Sequence, residues 1–241
     1  MKYTILSIDN SRESYKERIR DRIQIPEVFV KAVNGNTEDA VEQLRSEGIL
    51  LRRELWTPKK GEAGIWASIV NCWKWCIEND EELVVFEDDA IPVQNFQGLF
   101  NDFHDKLPVD YDFAALWVPN NQRDDYFYFV SYDENGVPHH VSRPPGMDRH
   151  ISIYAIDGAF PVSEVYQGYG GVAMLFSPNG ARKFMEISRK MGVYTPIDCH
   201  FYLSAHRPVD NVFGYAPHPE YMMVDYDWAA TTTIHHTERV E

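Results

Sequence analysis

Leu83-Val84-Val85-Phe86-Glu87-Asp88-Asp89-Ala90 sets an uninterrupted apolar run directly against three consecutive acids. Apolar residues without alternation read as a central strand covered on both faces. Just upstream, Ile65, Trp66, Ile69, Val70, Trp73, Cys76 and Ile77 fall on one helical stripe, which predicts a helix over Gly61 to Asn79. Nearer the N-terminus, Tyr3 to Ile8 reads as a first strand, and Asp9-Asn10-Ser11 as a helix start. Tyr15, Ile19 and Ile23 continue at helical spacing until Pro26. Val28 to Val33 predicts another strand, with Asn34-Gly35-Asn36 as its turn and a helix beginning near Thr37, Glu38 and Asp39. Downstream, strands are predicted at Phe113 to Val118 and Gly171 to Phe176. Ser177 and Pro178 then open a helix that runs to about Met191, with Gly192 beyond it. This alternation predicts an α/β, Rossmann-like fold: one domain over residues 1–241, its mostly parallel central sheet flanked by helices. The stretch at about 120–160 reads as an insertion or flap with a hairpin at Asp133-Glu134-Asn135-Gly136.

Composition narrows the function. Hydrophobic residues at 44% and charged residues at 25% give a chain of 241 residues enough apolar matter for a sizeable core, which excludes wholesale disorder. A net charge of −14 sets any unaided polyanion-binding role at a disadvantage. Cys72, Cys76 and Cys199 are too few for a disulfide framework, and Cys72 and Cys76 read as small buried residues on one side of a helix. No apolar run approaches transmembrane length, and the N-terminal stretch is too short for a signal peptide, so the expected location is cytoplasmic.

The acids after Phe86 carry the chemical expectation. Alternation sends Glu87 and Asp89 to one face and Asp88 to the other. The carboxyl ends of strands in open α/β sheets border the ligand crevice. Carboxylates sharing a face there repel each other unless a cation intervenes. Hard oxygen donors suit Mg²⁺ or Mn²⁺, ions that also bind substrate phosphates. The plainer alternative is a solvated acidic turn ahead of Pro92.

In these residues the chain resembles the GT-A glycosyltransferases, whose DXD-type metal motif follows such a strand. More specifically it is similar to family 25, which includes lipooligosaccharide and collagen galactosyltransferases. The likeness rests on four motifs in order: Gly61-Glu62-Ala63-Gly64 ahead of the strand and Glu87-Asp88-Asp89; Gly168-Tyr169-Gly170-Gly171; Ser177-Pro178-Asn179-Gly180-Ala181; and Pro196-Ile197-Asp198. They cover residues 1–7 and most of 55–203. Where the family commonly has Ser-His early in the helix, this chain has Ser68-Ile69, and Asn120 to Phe160 matches no family segment.

The resemblance implies a GT-A fold and a metal-dependent transfer of sugar from a nucleotide-sugar donor, with a UDP-sugar expected, to a hydroxyl acceptor. That acceptor could be a glycan, a lipooligosaccharide, a hydroxylysine-like side chain or a hydroxymethylated DNA base. It also implies a divalent ion held by Asp89 with Glu87 or Asp88, and Asp198 as the general base of an inverting reaction. Asp157 and Glu164 are reserve bases, and a helix cap is the competing role for Asp198. Ser7, Ile8, Asp9 and Asn34, with Asp88, would hold the nucleotide, although Asp9 could equally cap a helix. A late histidine, His218, His235 or His236, would add a metal ligand, with His235 the choice; for any single histidine a hydrogen-bonded or surface role competes. Two other classes fit the same acids: a metal-dependent nucleotidyltransferase or phosphohydrolase, and a nucleotide-sugar-binding module without turnover.

Overall fold

The computed structural model describes residues 1–8, 12–117, 129–132, 138–141, 159–161, 171–206, 208–217, 223–226 and 239–240. In chain order the elements are β1 (Lys2–Leu6), α1 (Glu13–Arg20), α2 (Ala40–Ser46), α3 (Lys60–Asn79), β2 (Leu83–Glu87), β3 (Ala90–Pro92), α4 (Phe96–His104) and β4 (Phe113–Ala115). There follow β5 (Phe129–Tyr132), β6 (Pro138–Val141), β7 (Ala159–Pro161), β8 (Ala173–Phe176), α5 (Pro178–Met191), α6 (Ile197–His206), β9 (Gly214–Pro217) and β10 (Val224–Tyr226).

Six strands form the main sheet in the order β1-β2-β8-β4-β9-β7. β1 and β2 pair in parallel, as do β4 and β9, while β8 and β7 run antiparallel to their neighbours. Four strands therefore share one direction and two oppose it. The expected α/β sheet is present and mostly parallel, with β8 reversed at its centre.

Alternation along the inner strands divides the core into two layers. Leu83 and Val85 of β2, Phe113 of β4 and Phe176 of β8 join Trp66, Trp73, Phe184 and Phe201 on one face. Val84 and Phe86, Ala114 and Leu175 join Ile19, Phe96 and Phe100 on the other. This two-sided burial explains why the Leu83–Phe86 run shows no polar alternation. Trp66 belongs wholly to the core, its indole N–H donating to the Thr195 carbonyl at 3.0 Å.

The predicted Val28–Val33 strand does not form a ladder. Val28 N–H still reaches the Tyr3 carbonyl at 2.8 Å, but Val30 N–H donates to Thr4 Oγ1 at 3.3 Å and Val33 N–H to Ser68 Oγ at 2.8 Å. Side-chain hydroxyls replace backbone acceptors as the segment leaves β1 for α3. Nor does the next helix begin at Thr37. It begins at Ala40, with Asp39 as the cap accepting from Glu42 N–H. The N-cap of α5 is Ser177 with Pro178 following, as expected. β5 and β6 pair antiparallel on either side of the predicted turn, whose residues lie outside those described. No helix among the described residues is long and apolar enough to cross a membrane.

Candidate active site

β1 and β2 end side by side, with Leu6 opposite Glu87, so Ser7 and Ile8 leave the sheet next to the acidic triplet. Across the other edge of β2, Glu87 N–H donates to the Val172 carbonyl at 2.9 Å, placing the entry to β8 against the same corner. Gly171 stands there between two acids: a Cβ at this position would lie 3.6 Å from Glu87 Oε1 and 3.9 Å from Asp198 Cβ. Asp198, in the first turn of α6, thus lies with Glu87 on either side of a space that a Cβ at Gly171 would fill. It also accepts from the Cys199 N–H at 2.8 Å, so its position at the helix entrance combines a local backbone contact with proximity to Glu87.

β2 ends at Glu87, and Asp88 and Asp89 form the turn into β3, so the strand alternation expected from the sequence does not extend through the triplet. Glu87 continues the Leu83 and Val85 side of β2 and meets Asp198, whose helix supplies Phe201 and Tyr202 to that core layer. In that turn Asp88 meets Arg12, at the entrance to α1, which donates to its Oδ1 at 2.5 Å. Asp88 and Asp89 are both buried, at 7% and 6% exposure. Burial raises the Glu87 pKa well above the ordinary carboxylate range, and the charges of Asp89, Asp198 and Asp88 add to it. Burial works against the Arg12 charge, but the hydrogen bond and charge of Asp88, with Asp89 behind it, outweigh that cost and raise its pKa. After the acids the chain enters β3, which pairs antiparallel with β10.

The structure therefore brings Glu87, Asp88, Asp89 and Asp198 into one electrostatic neighbourhood, with Ser7 and Ile8 alongside. Asn34 lies in the turn before α2, where its Oδ1 accepts from Asn36 N–H at 3.0 Å and its carbonyl from Glu38 N–H at 2.8 Å. Asp9, Asp157, Glu164, His218, His235 and His236 lie outside the described residues. Another histidine can be placed: His200 is buried in the aromatic core, its Nε2 3.2 Å from Ser188 Oγ and its ring centroid 4.8 Å from that of Trp66. Arg12 was missed by the sequence reading. Its signal was a cation immediately after a predicted strand-to-helix turn.

Among the described residues, no three His, Cys, Asp or Glu side chains are gathered closely enough to hold an ion by themselves. The donor chemistry nevertheless suits a hard divalent cation: clustered carboxylates resist ionising together, and Gly171 leaves a gap beside Glu87. Such ions are commonly held by one or two carboxylates plus substrate phosphates, so an incomplete protein cage is compatible with one.

The Gly61-Glu62-Ala63-Gly64 motif has a different task. A Cβ on Gly64 would lie 2.6 Å from the Val33 carbonyl oxygen and 2.7 Å from Gly35 N, so glycine lets the turn after Val33 lie against α3. Glu62 closes the same helix entrance by accepting from Lys59 N–H at 2.5 Å.

Comparison with known proteins adds an independent line. The model of glycosyltransferase family 25, described as LPS biosynthesis protein, matches residues 1–201. No curated protein matches the chain. The matched stretch runs from β1 into α6 and includes Arg12, the acidic triplet, Gly171 and Asp198; the chain belongs to glycosyltransferase family 25.

Proposed function

We propose that this glycosyltransferase moves a sugar from a nucleotide-diphosphate donor, with UDP as the nucleotide, to a hydroxyl group on a glycan, with inversion. The observation carrying this reading is the meeting of Glu87 and Asp198 beside Gly171 at the carboxyl end of a central strand, with the charge of Asp89 acting on Glu87. Sheet ends of this kind border ligand crevices. Ser7, Ile8 and Asp88 sit where the nucleotide portion would be held; Asp9 and Asn34 belong to the same proposal.

Glu87 and Asp89 would hold a divalent cation, Mg²⁺ or Mn²⁺, with His235 as a further ligand. When bound, such an ion neutralises charge developing on the departing diphosphate. In the transfer, the acceptor oxygen bonds to the anomeric carbon as the carbon–oxygen bond to the diphosphate breaks. Asp198 receives the acceptor's proton and directs the oxygen toward the sugar. Asp88, held by Arg12, keeps its acceptor oxygens fixed at the donor side of the corner. The buried cysteines, none of them in a disulfide, fit a reducing cytoplasm.

The test is a panel of nucleotide sugars incubated with glycan acceptors and, separately, hydroxymethylated DNA. Products are identified by mass spectrometry, with nucleoside triphosphates as controls. The proposal expects glycosylated product and free nucleoside diphosphate, both abolished by chelator and by Asp89→Asn with the fold preserved. Full activity in excess chelator would overturn the metal assignment, and nucleotidyl products would overturn the reaction class.

A further inference from the structure

Arg12 lies outside the set of acids that the proposed chemistry uses, yet its side chain is only 16% exposed and it binds the middle acid of the triplet directly. The pair joins α1 to the end of β2, sequence positions 76 apart, with the Asp88 side chain 10% exposed. Arg12 also packs toward the Tyr15 ring, 5.7 Å from its centroid, and Arg18 lies 4.5 Å from the same ring on the next turn. Farther along α1's exit, Arg22 donates to the Pro92 carbonyl. The helix is thus fastened along the chain segment that begins with the acids, and Arg12 is its fastening at the reactive end.

A buried pair of this kind is poor value as a stabiliser, because desolvating both charges consumes most of what their attraction returns. Its positional effect is clearer. A guanidinium aimed at Asp88, its charge also acting on Asp89, lowers the negative potential at the corner where Glu87, Asp89 and Asp198 crowd together. That potential has opposite consequences for the two ligands the site must accept. A cation binds more tightly where it is more negative, and a diphosphate less tightly.

We propose that Arg12 is a positioning residue of the donor site: by holding Asp88 it withdraws this carboxylate from the cation and sets a local charge that admits a nucleotide diphosphate. The inference rests on the donor-site reading above and deepens it. Its signature is a change of opposite sign for the two ligands, which a merely structural residue would not give.

The experiment measures Mn²⁺ alone, and UDP in excess chelator, by calorimetric titration of the full chain as wild type, Arg12→Met and Arg12→Lys. Arg12→Met is expected to bind Mn²⁺ about ten-fold more tightly and UDP about ten-fold more weakly, each about 1.4 kcal/mol. Arg12→Lys is expected to stay near wild type for Mn²⁺ and to lose part of the UDP affinity, since a point charge replaces a planar fork. Unchanged affinities in Arg12→Met, or a parallel loss of both ligands in Arg12→Met and Arg12→Lys, would overturn the proposal. Should Arg12→Met fail to fold, Arg12→Lys carries the test: tighter Mn²⁺ binding by this variant contradicts it. Wild-type protein that takes up neither probe alone, nor UDP with Mn²⁺ present, defeats the donor-site reading itself, a failure visible before any variant is compared.

Discussion

Replacing Asp112 tests the frame that holds β8, and with it Gly171, in place. Asp112 is fully buried, and its carboxylate accepts from Asn179 Nδ2 at 2.9 Å, Lys183 Nζ at 2.6 Å and Phe213 N–H at 2.8 Å. These contacts tie the start of β4 to the first turns of α5 and to the approach to β9. Removing one member of a buried pair costs about 3–5 kcal/mol. Lys183, however, is 22% exposed and also donates to the Asn211 carbonyl at 2.6 Å, so the stranded cation keeps both water and a partner. Asp112→Ala should therefore fall in the lower part of that range, about 3–4 kcal/mol. At about 2–4 °C per kcal/mol for a chain of this size, Tm should drop by about 6–16 °C. Asp112→Asn, which keeps an acceptor for Phe213 N–H, should cost about 1.5–3 kcal/mol. Urea unfolding followed by fluorescence gives both values, with a cycle through Lys183→Met isolating the pair. A loss below about 1 kcal/mol for Asp112→Ala, at unchanged m-value, would show that these contacts do not hold the frame.

Gly64→Ala pits helix propensity, which favours alanine by about 1 kcal/mol, against the clash with Val33 and Gly35; the clash should win by about 1–3 kcal/mol, and a rise in Tm would contradict the close approach. Asp198→Asn should lower kcat about 10²- to 10⁴-fold with a much smaller change in donor KM, and steady-state kinetics retaining wild-type kcat would remove it as the base. His104 and Glu82 give a pH signature. The hydrogen bond to Glu82 raises the His104 pKa, while for Glu82 burial is outweighed by the bonds from His104 and Tyr111, which lower its pKa. The His104 contribution is complete below about pH 6.5, its unfolded value, and is lost as pH rises through its raised folded value. That of Glu82 is complete above about pH 4.3 and is lost as pH falls through its lowered folded value. His104→Gln should therefore flatten the decline in Tm on the alkaline side of about pH 6.5, and an unaltered profile would count against the coupling. Cys72, Cys76 and Cys199 are buried, and burial raises their thiol pKa values, Cys76 to about 12, so a thiol reagent should label them only on unfolding.

Local signals carried much of the fold. The unbroken run Leu83–Phe86 announced a strand buried on both faces, and Ser177-Pro178 marked the start of α5 because cap chemistry is local. Val28–Val33 misled because its composition suits a strand, whereas its later hydrogen bonds go to Thr4 and Ser68, contacts set by tertiary packing. Reversal of β8 was equally illegible, since an apolar strand reads alike in either direction. At the site, the triplet stood out by type and position, and Asp198 through the family resemblance. Arg12 did not, because its meaning depends on Asp88, brought to it only by folding. Gly171 appeared within a glycine-rich motif, but its place beside both Glu87 and Asp198 became legible only in three dimensions.

The most direct measurement of the central claim is anomalous diffraction at the manganese edge from crystals grown with Mn²⁺ and UDP. The account predicts a manganese peak at the carboxylates of Glu87 and Asp89, with the UDP pyrophosphate against it. Ordered UDP at another place, with manganese away from these two side chains, would contradict it.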